Sequence, residues 1–405
     1  MILEVELDGL FLIRQSTGID MNISALNNTL SSMTNSYKYL FLRSLMNLLK
    51  ESYFKKDTFS YKEINIEMLA ISWRISLFFR LDFGSQDQIS KYLKLALEKN
   101  SNHDKLIELT DKKKIKECLE KLDYNNSKGI LKYVPQRILR GFFSNEVYGL
   151  PDHKVDKKIL ELCNRPDSSS LFAIDRSLVN TNTHTPNNFE ETRVVLNKKW
   201  INYFKNNMSI LEGWAERHWI DYLATKNPFM PNISSKIKFS SKRNLTKERA
   251  IWKGFISERE VMCVFSKRPL DIENFSLDHF IPFQFSGHNL LWNLVPVAHS
   301  FSNDDYLNPN SSKNNKLPHP KYIKPFISCQ LDFLNYLECK KSKIAYRNLL
   351  KDYEIFLNID IKNNDTKSIY KKYYEEIENQ IRLAASHGFL SNWEYKKHKQ
   401  SKGIG

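Results

Sequence analysis

The sequence predicts an α+β protein that is predominantly helical, and two observations carry that class. Apolar residues recur at spacings of three and four in successive segments from Tyr37 onward, the period of helices with one buried face. Strand-like alternation is brief by comparison: Ile2, Val5 and Leu7 mark one short extended stretch. With 405 residues and a hydrophobic share of 41%, the chain is long enough and apolar enough for roughly two or three packed domains.

Residues 1–186 read as an N-terminal, mostly helical domain. Thr34, Asn35 or Ser36 can cap a helix whose Tyr37, Phe41, Leu45 and Leu48/Leu49 share one face, with Lys38, Arg43 and Lys50 largely off it. Further helices are expected at Ile64 to Arg80 and Gln86 to Lys99, separated by the turn-forming Asp82-Phe83-Gly84-Ser85, then at Lys112 to Leu122 and Lys157 to Cys163. The aromatic residues here are of the kind that fill cores more often than they stack on bases. The polar stretch from Val179 to Asn188 is a linker by composition.

Residues 187–250 form a helical connector with a basic segment. Trp200, Phe204, Leu211, Trp214 and Leu223 mark amphipathic helices that stop at Asn227-Pro228, because a residue preceding proline is pushed out of the helical region. Lys236, Lys238, Lys242, Arg243, Lys247, Arg249 and Lys253 then follow against Glu248 alone. Such a run suits contacts to phosphates, which give affinity without sequence preference; a solvated face is the plainer alternative. Beyond residues 251–322, helices return in a C-terminal region, 323–405, at Pro325 to Glu338, Lys343 to Phe356 and Thr366 to Leu383, before a basic tail.

Composition narrows the partners. A formal net charge of +15 favours a polyanion, nucleic acid first and a membrane surface second. The five cysteines are odd in number and scattered without a Cys-x-x-Cys pair, which indicates neither a disulfide framework nor a four-cysteine zinc site and fits a reducing cytoplasm. Glu4, Glu6 and Asp8 stand where a secretory signal needs basic and apolar residues. The most apolar segment, Met68 to Leu81, is interrupted by Arg74 and Arg80 and falls short of the roughly 20 residues that span a bilayer. A soluble cytoplasmic protein is expected, with no membrane partner.

The chemistry concentrates between Phe275 and Pro318. Hydrolysing a phosphodiester needs an activated water, a cation on the scissile phosphate and a stabilised leaving oxygen. Asp278 and His279 are neighbours, and at the twisted end of a strand both can reach one cavity. An imidazole serves as a general base near neutral pH, while Asp and Asn oxygens are hard ligands suited to Mg2+ or Mn2+.

The phrases LDHFIPF, LWNLVPV and NPNSSKNNKLP, in that order, resemble the HNH nuclease family, of the kind found in bacterial restriction and anti-phage defence. The resemblance covers about Met262 to Pro318 and implies a small ββα-metal fold flanked by the helical domains. It places Asp-His near the end of the first strand, the middle Asn in the hairpin and the last Asn on the helix. By motif position His279 is the general base, Asp278 a metal ligand, Asn293 the residue that holds the loop and orients the histidine, and Asn310 the second metal ligand. Lys313 is the lysine of Asn-x-x-Lys. The expected activity is metal-dependent cleavage of DNA, with nucleic-acid contacts from Lys242, Arg243, Lys247, Arg249, Lys253, Lys313 and Lys316.

The sequence departs from the family's pattern twice. Cys263 is followed three residues later by Ser266 and no second pair appears, so no structural zinc is expected; Phe265, Leu270, Phe280, Phe283, Leu291 and Trp292 must hold the fold by packing. Asn293 and Asn310 lie 17 positions apart (310 − 293), more than is usual in the family, and an insertion with Asp304 and Asp305 fills the difference. Asn303 stands at the usual interval but lacks the following lysine, which favours Asn310. His288 and His299 read as structural histidines. Two other functions compete: a DNA-binding module without catalysis, which needs a damaged Asp278-His279 pair, and a helical ribonuclease built on Arg382 and His387. No Gly-x4-Gly-Lys-Ser/Thr loop is present, so a partner ATPase or other defence-system subunit would be a separate chain.

Overall fold

The computed structural model describes residues 21–98, 106–121, 125–176, 192–238, 244–298, 313, 315–340 and 344–395. The chain divides into two compact units, Met1–Pro228 and Phe229–Gly405. The linker read at Val179 to Asn188, the extended start at Ile2 to Leu7 and the basic tail beyond residue 395 lie outside the described residues. The chain on both sides of that linker belongs to the first unit, because a strand that follows it completes a sheet begun before it.

That sheet is small. β1 (Thr58–Ser60) and β2 (Phe172–Asp175) both pair antiparallel with the central β3 (Arg193–Leu196), with Phe59 and Ile174 each opposite Val194. All three of these side chains are buried, so the sheet contributes one apolar face to the core. Around it stand α1 (Ile23–Ser31), α2 (Tyr37–Glu51), α3 (Tyr61–Trp73), α4 (Ile89–Glu98), α5 (Lys112–Lys121), α6 (Val134–Leu139), α7 (Asp152–Cys163) and α8 (Lys198–Lys226).

Local sequence explains most of these ends. Ser60 and Glu63 form a reciprocal capping box that starts α3. The helix expected to run on to Arg80 instead loosens into a π-helical turn over Arg74–Phe78, and Arg80 itself is left-handed with φ 56°. Ser36 precedes α2 but gives its hydroxyl to Asp87 rather than to the helix. α8 stops where Pro228 requires; the Asn227 amide then ties Asp82, accepting from its N–H at 2.7 Å and donating to its carbonyl at 2.8 Å. α2 and α8 meet through Tyr39 stacked on Trp219, with ring centres 4.5 Å apart.

In the second unit α9 (Ile233–Lys238) and α10 (Thr246–Glu258) precede a hairpin of β4 (Phe275–His279) and β5 (Leu294–Ala298). The strands are antiparallel, with Asp278 opposite Val295 and His279 opposite Leu294. The loop between them contains one short helix, α11 (Phe283–Ser286), and a 3-10 turn, Leu291–Asn293. Three helices complete the unit: α12 (Ile323–Cys339), α13 (Ile344–Leu357) and α14 (Thr366–Ser386).

The hairpin is held by aromatic stacking against these helices. Phe280 lies on Phe326 at 3.9 Å and Trp292 on Phe356 at 3.8 Å. Of the residues expected to pack the hairpin region, Phe265, Phe280, Phe283, Leu291 and Trp292 are buried and Leu270 is half-buried. The described chain is thus α+β and mostly helical. The helix expected to carry Asn310 after β5 lies outside the described residues, apart from Lys313. No helix among the described residues is long and apolar enough to cross a membrane.

Candidate functional site

β4 ends on Asp278 and His279, and everything around them fixes the loop that follows. Asn293, fully buried, reaches back across the hairpin. Its Oδ1 accepts from the Ile281 N–H at 2.8 Å and its Nδ2 donates to the Ile281 carbonyl at 2.9 Å and to Ser286 Oγ at 3.3 Å. A side chain with both an acceptor and a donor is needed to pair both polar groups of one residue's backbone, and an amide supplies them. Pro282 starts α11, and Gly287 ends it in the left-handed region with φ 69°.

This loop returns the His288 carbonyl to the histidine that began it. His279 is buried, edge-on to Phe283, and its Nε2 lies 3.1 Å from the His288 carbonyl oxygen and 3.1 Å from Asn289 Oδ1. A carbonyl oxygen can only accept, so Nε2 must carry the hydrogen. In the neutral ring the second nitrogen, Nδ1, is then the basic one.

Asp278 faces Lys313. The lysine Nζ is 2.7 Å from Asp278 Oδ2, donates also to the His279 carbonyl, and lies 5.6 Å from the centre of the Phe265 ring. At 1% exposure Lys313 is turned wholly inward, whereas a phosphate contact was expected of it. The reason is electrostatic: an ammonium removed from water must find acceptors, and the Asp278 carboxylate and the His279 carbonyl are two of them.

The basic segment is likewise divided. Arg249 donates to the carbonyls of Phe275 and Glu273, the latter at 3.2 Å, and its guanidinium lies 4.2 Å from the Phe275 ring centre. It anchors the start of β4. Lys253 pairs with Glu273 at 2.8 Å, Lys236 is buried, Lys316 is half-buried and Lys247 is exposed. Lys242, Arg243, Asn303, Asp304, Asp305, His299 and Asn310 lie outside the described residues.

Among the described residues no cluster of three or more His, Cys, Asp or Glu side chains is arranged to hold a metal. Cys263 is buried in a main-chain turn, where its N–H donates to the Arg268 carbonyl at 2.7 Å and its carbonyl accepts from Lys267 N–H at 2.9 Å. Lys267 takes the left-handed conformation there, with φ 55°.

The C-terminal helices hold the returning strand through groups the sequence reading missed. Gln330 Nε2 donates to the carbonyls of Leu294 at 2.6 Å and Leu291 at 3.2 Å, and Tyr353 holds the Gln330 oxygen at 2.7 Å. Tyr373 donates to the Trp292 carbonyl at 2.6 Å. Asn293 is therefore flanked on both sides by backbone carbonyls fixed from outside the hairpin. One signal was available: Gln330 interrupts the apolar stripe Ile323, Phe326, Ile327, Phe333, Leu334, Leu337, where a polar residue must have buried partners.

Arg382 and His387, the alternative pair, are each engaged locally. Arg382 contacts Asn379 at 2.5 Å, and His387 Nδ1 donates to the Leu383 carbonyl at 2.9 Å near the end of α14. Comparison of the chain with protein-family models, with curated proteins and with solved structures found no match.

Proposed function

We propose that the chain is a metal-dependent endonuclease of the HNH type that hydrolyses DNA phosphodiester bonds, and that it serves in bacterial defence. The observation that carries this is the state of His279. Its Nε2 is committed to the His288 carbonyl, which makes Nδ1 the basic nitrogen, and the acidic Asp278 directly precedes it at the end of the same strand.

In the reaction, His279 Nδ1 takes a proton from water as the water oxygen attacks phosphorus and the bond to the leaving oxygen breaks. Asp278 is the acidic oxygen donor. Lys313 occupies Oδ2, and a carboxylate has lone pairs to spare for a hard cation such as Mg2+ or Mn2+. Asp278 would hold that ion together with Asn310, and when bound it supplies positive charge at the scissile phosphate and the leaving oxygen. Lys313 orients Asp278 through the ion pair, and Asn293 keeps the loop closed. Phosphate contacts fall to exposed basic residues such as Lys247, and the partner this reading implies is an ATPase or other defence-system subunit.

The test is nicking of supercoiled plasmid with Mg2+ and with EDTA, by the native protein and by His279→Ala. Cleavage in Mg2+ that survives loss of His279 rejects the assignment. An RNA substrate with His387→Ala examines the ribonuclease alternative in the same experiment.

A further inference from the structure

The loop that returns the His288 carbonyl to His279 is gripped from its outer side as well as by Asn293. Asn232, left-handed with φ 53° just before α9, donates from Nδ2 to the Ser286 carbonyl at 2.8 Å. Lys236, at the end of α9, donates from Nζ to the Phe285 carbonyl at 2.6 Å and also to the Pro231 carbonyl. The approach is close: a Cβ on Gly287 would stand 3.2 Å from Asn232 Cβ and 3.4 Å from Lys236 Cε. The next residue is His288.

We propose that Asn232 and Lys236 are positioning residues for His279. By fixing the Phe285 and Ser286 carbonyls they set where the His288 carbonyl stands, and hence which imidazole nitrogen carries the hydrogen. That His279 does chemistry rests on the function proposed above; the placement of its hydrogen does not.

Lys236 is an expensive way to hold a carbonyl. It is 2% exposed, and among the described residues no carboxylate offsets its charge. Burial pushes its pKa down to about 7. The titratable group that faces it is His288, which burial first and the Lys236 charge second push down to about 4, so this histidine stays neutral. An aliphatic residue would avoid that desolvation, which indicates that the amino group is kept for its hydrogen bonds, and the neutral amine still has two N–H donors for the two carbonyls. The Gly287 turn has no side chain to lock it, and release of the two preceding carbonyls frees it to rotate.

The experiment records the imidazole nitrogen–proton correlations of the full-length, metal-free protein labelled at histidine, at a pH well above imidazole titration. The His279 signals are identified by their loss in His279→Gln. The native protein is expected to show His279 in the Nε2–H tautomer. Lys236→Met and Asn232→Ala are each expected to move both nitrogens toward averaged positions, and to lower kcat for plasmid cleavage about tenfold with KM little changed. Lys236→Met removes a buried charge and is expected to fold; Asn232→Ala tests the same clasp independently. An unchanged His279 tautomer in both variants overturns the proposal. A tautomer shift in a protein that never cleaves DNA leaves the clasp standing and removes the nuclease.

Discussion

Truncation of Asn293 to alanine should open the loop at a single residue. Asn293→Ala leaves both the N–H and the carbonyl of Ile281 buried without their partners, previously at 2.8 and 2.9 Å. An unsatisfied buried polar group costs about 1–3 kcal/mol, so losing the partners of two should cost the variant about 2–6 kcal/mol of stability. The Ser286 contact, at 3.3 Å, adds little. Asn293→Asp should do no better, since its carboxylate can accept from Ile281 N–H but cannot donate to the Ile281 carbonyl. Urea unfolding followed by tryptophan fluorescence gives the magnitude, and hydrogen exchange at the Ile281 amide gives the location. A loss below about 1 kcal/mol with the Ile281 amide still protected would refute the clamp.

Two further perturbations test the groups around the site. Lys313→Met removes the cation from Asp278 in a place where little water can replace it, and should cost about 1–3 kcal/mol in urea unfolding together with most of the cleavage activity; an unaffected variant would mean that the pair orients nothing. For Lys236 the sign follows from linkage: its folded pKa of about 7 lies below the ordinary 10.5, so between those values the unfolded chain holds a proton that the folded chain has released. Native stability should therefore rise with pH relative to Lys236→Met, by about 1.4 kcal/mol per pH unit between about pH 8 and 10. A difference that stays constant over that range means that Lys236 is not desolvated.

What the sequence made legible follows the physics of each element. Helices with a sustained apolar stripe, such as Tyr37–Glu51 and Thr366–Ser386, were readable because one buried face repeats over several turns. The N-terminal turn of Asp152–Cys163 was missed, though Pro151 directly before it is a starting signal of the ordinary kind. The three-stranded sheet was not readable at all: strands of three and four residues are too short to show a period of two. At the site, Asp278, His279 and Asn293 were accessible because their relation is local and tied to one hairpin. The inward turn of Lys236, Arg249 and Lys313 was not, since a run of basic residues does not tell which of them finds a carbonyl or carboxylate in the fold. The partner that fixes the His279 hydrogen is a main-chain carbonyl, and a backbone oxygen leaves no mark in the residue types.

The most direct measurement is cleavage of supercoiled plasmid by the native protein and by His279→Ala, each with Mg2+ and with EDTA. Nicked and linear products are expected from the native protein in Mg2+, none in EDTA, and a loss of at least about a hundredfold in His279→Ala with the fold intact. Native-level cleavage by the folded His279→Ala protein would contradict it.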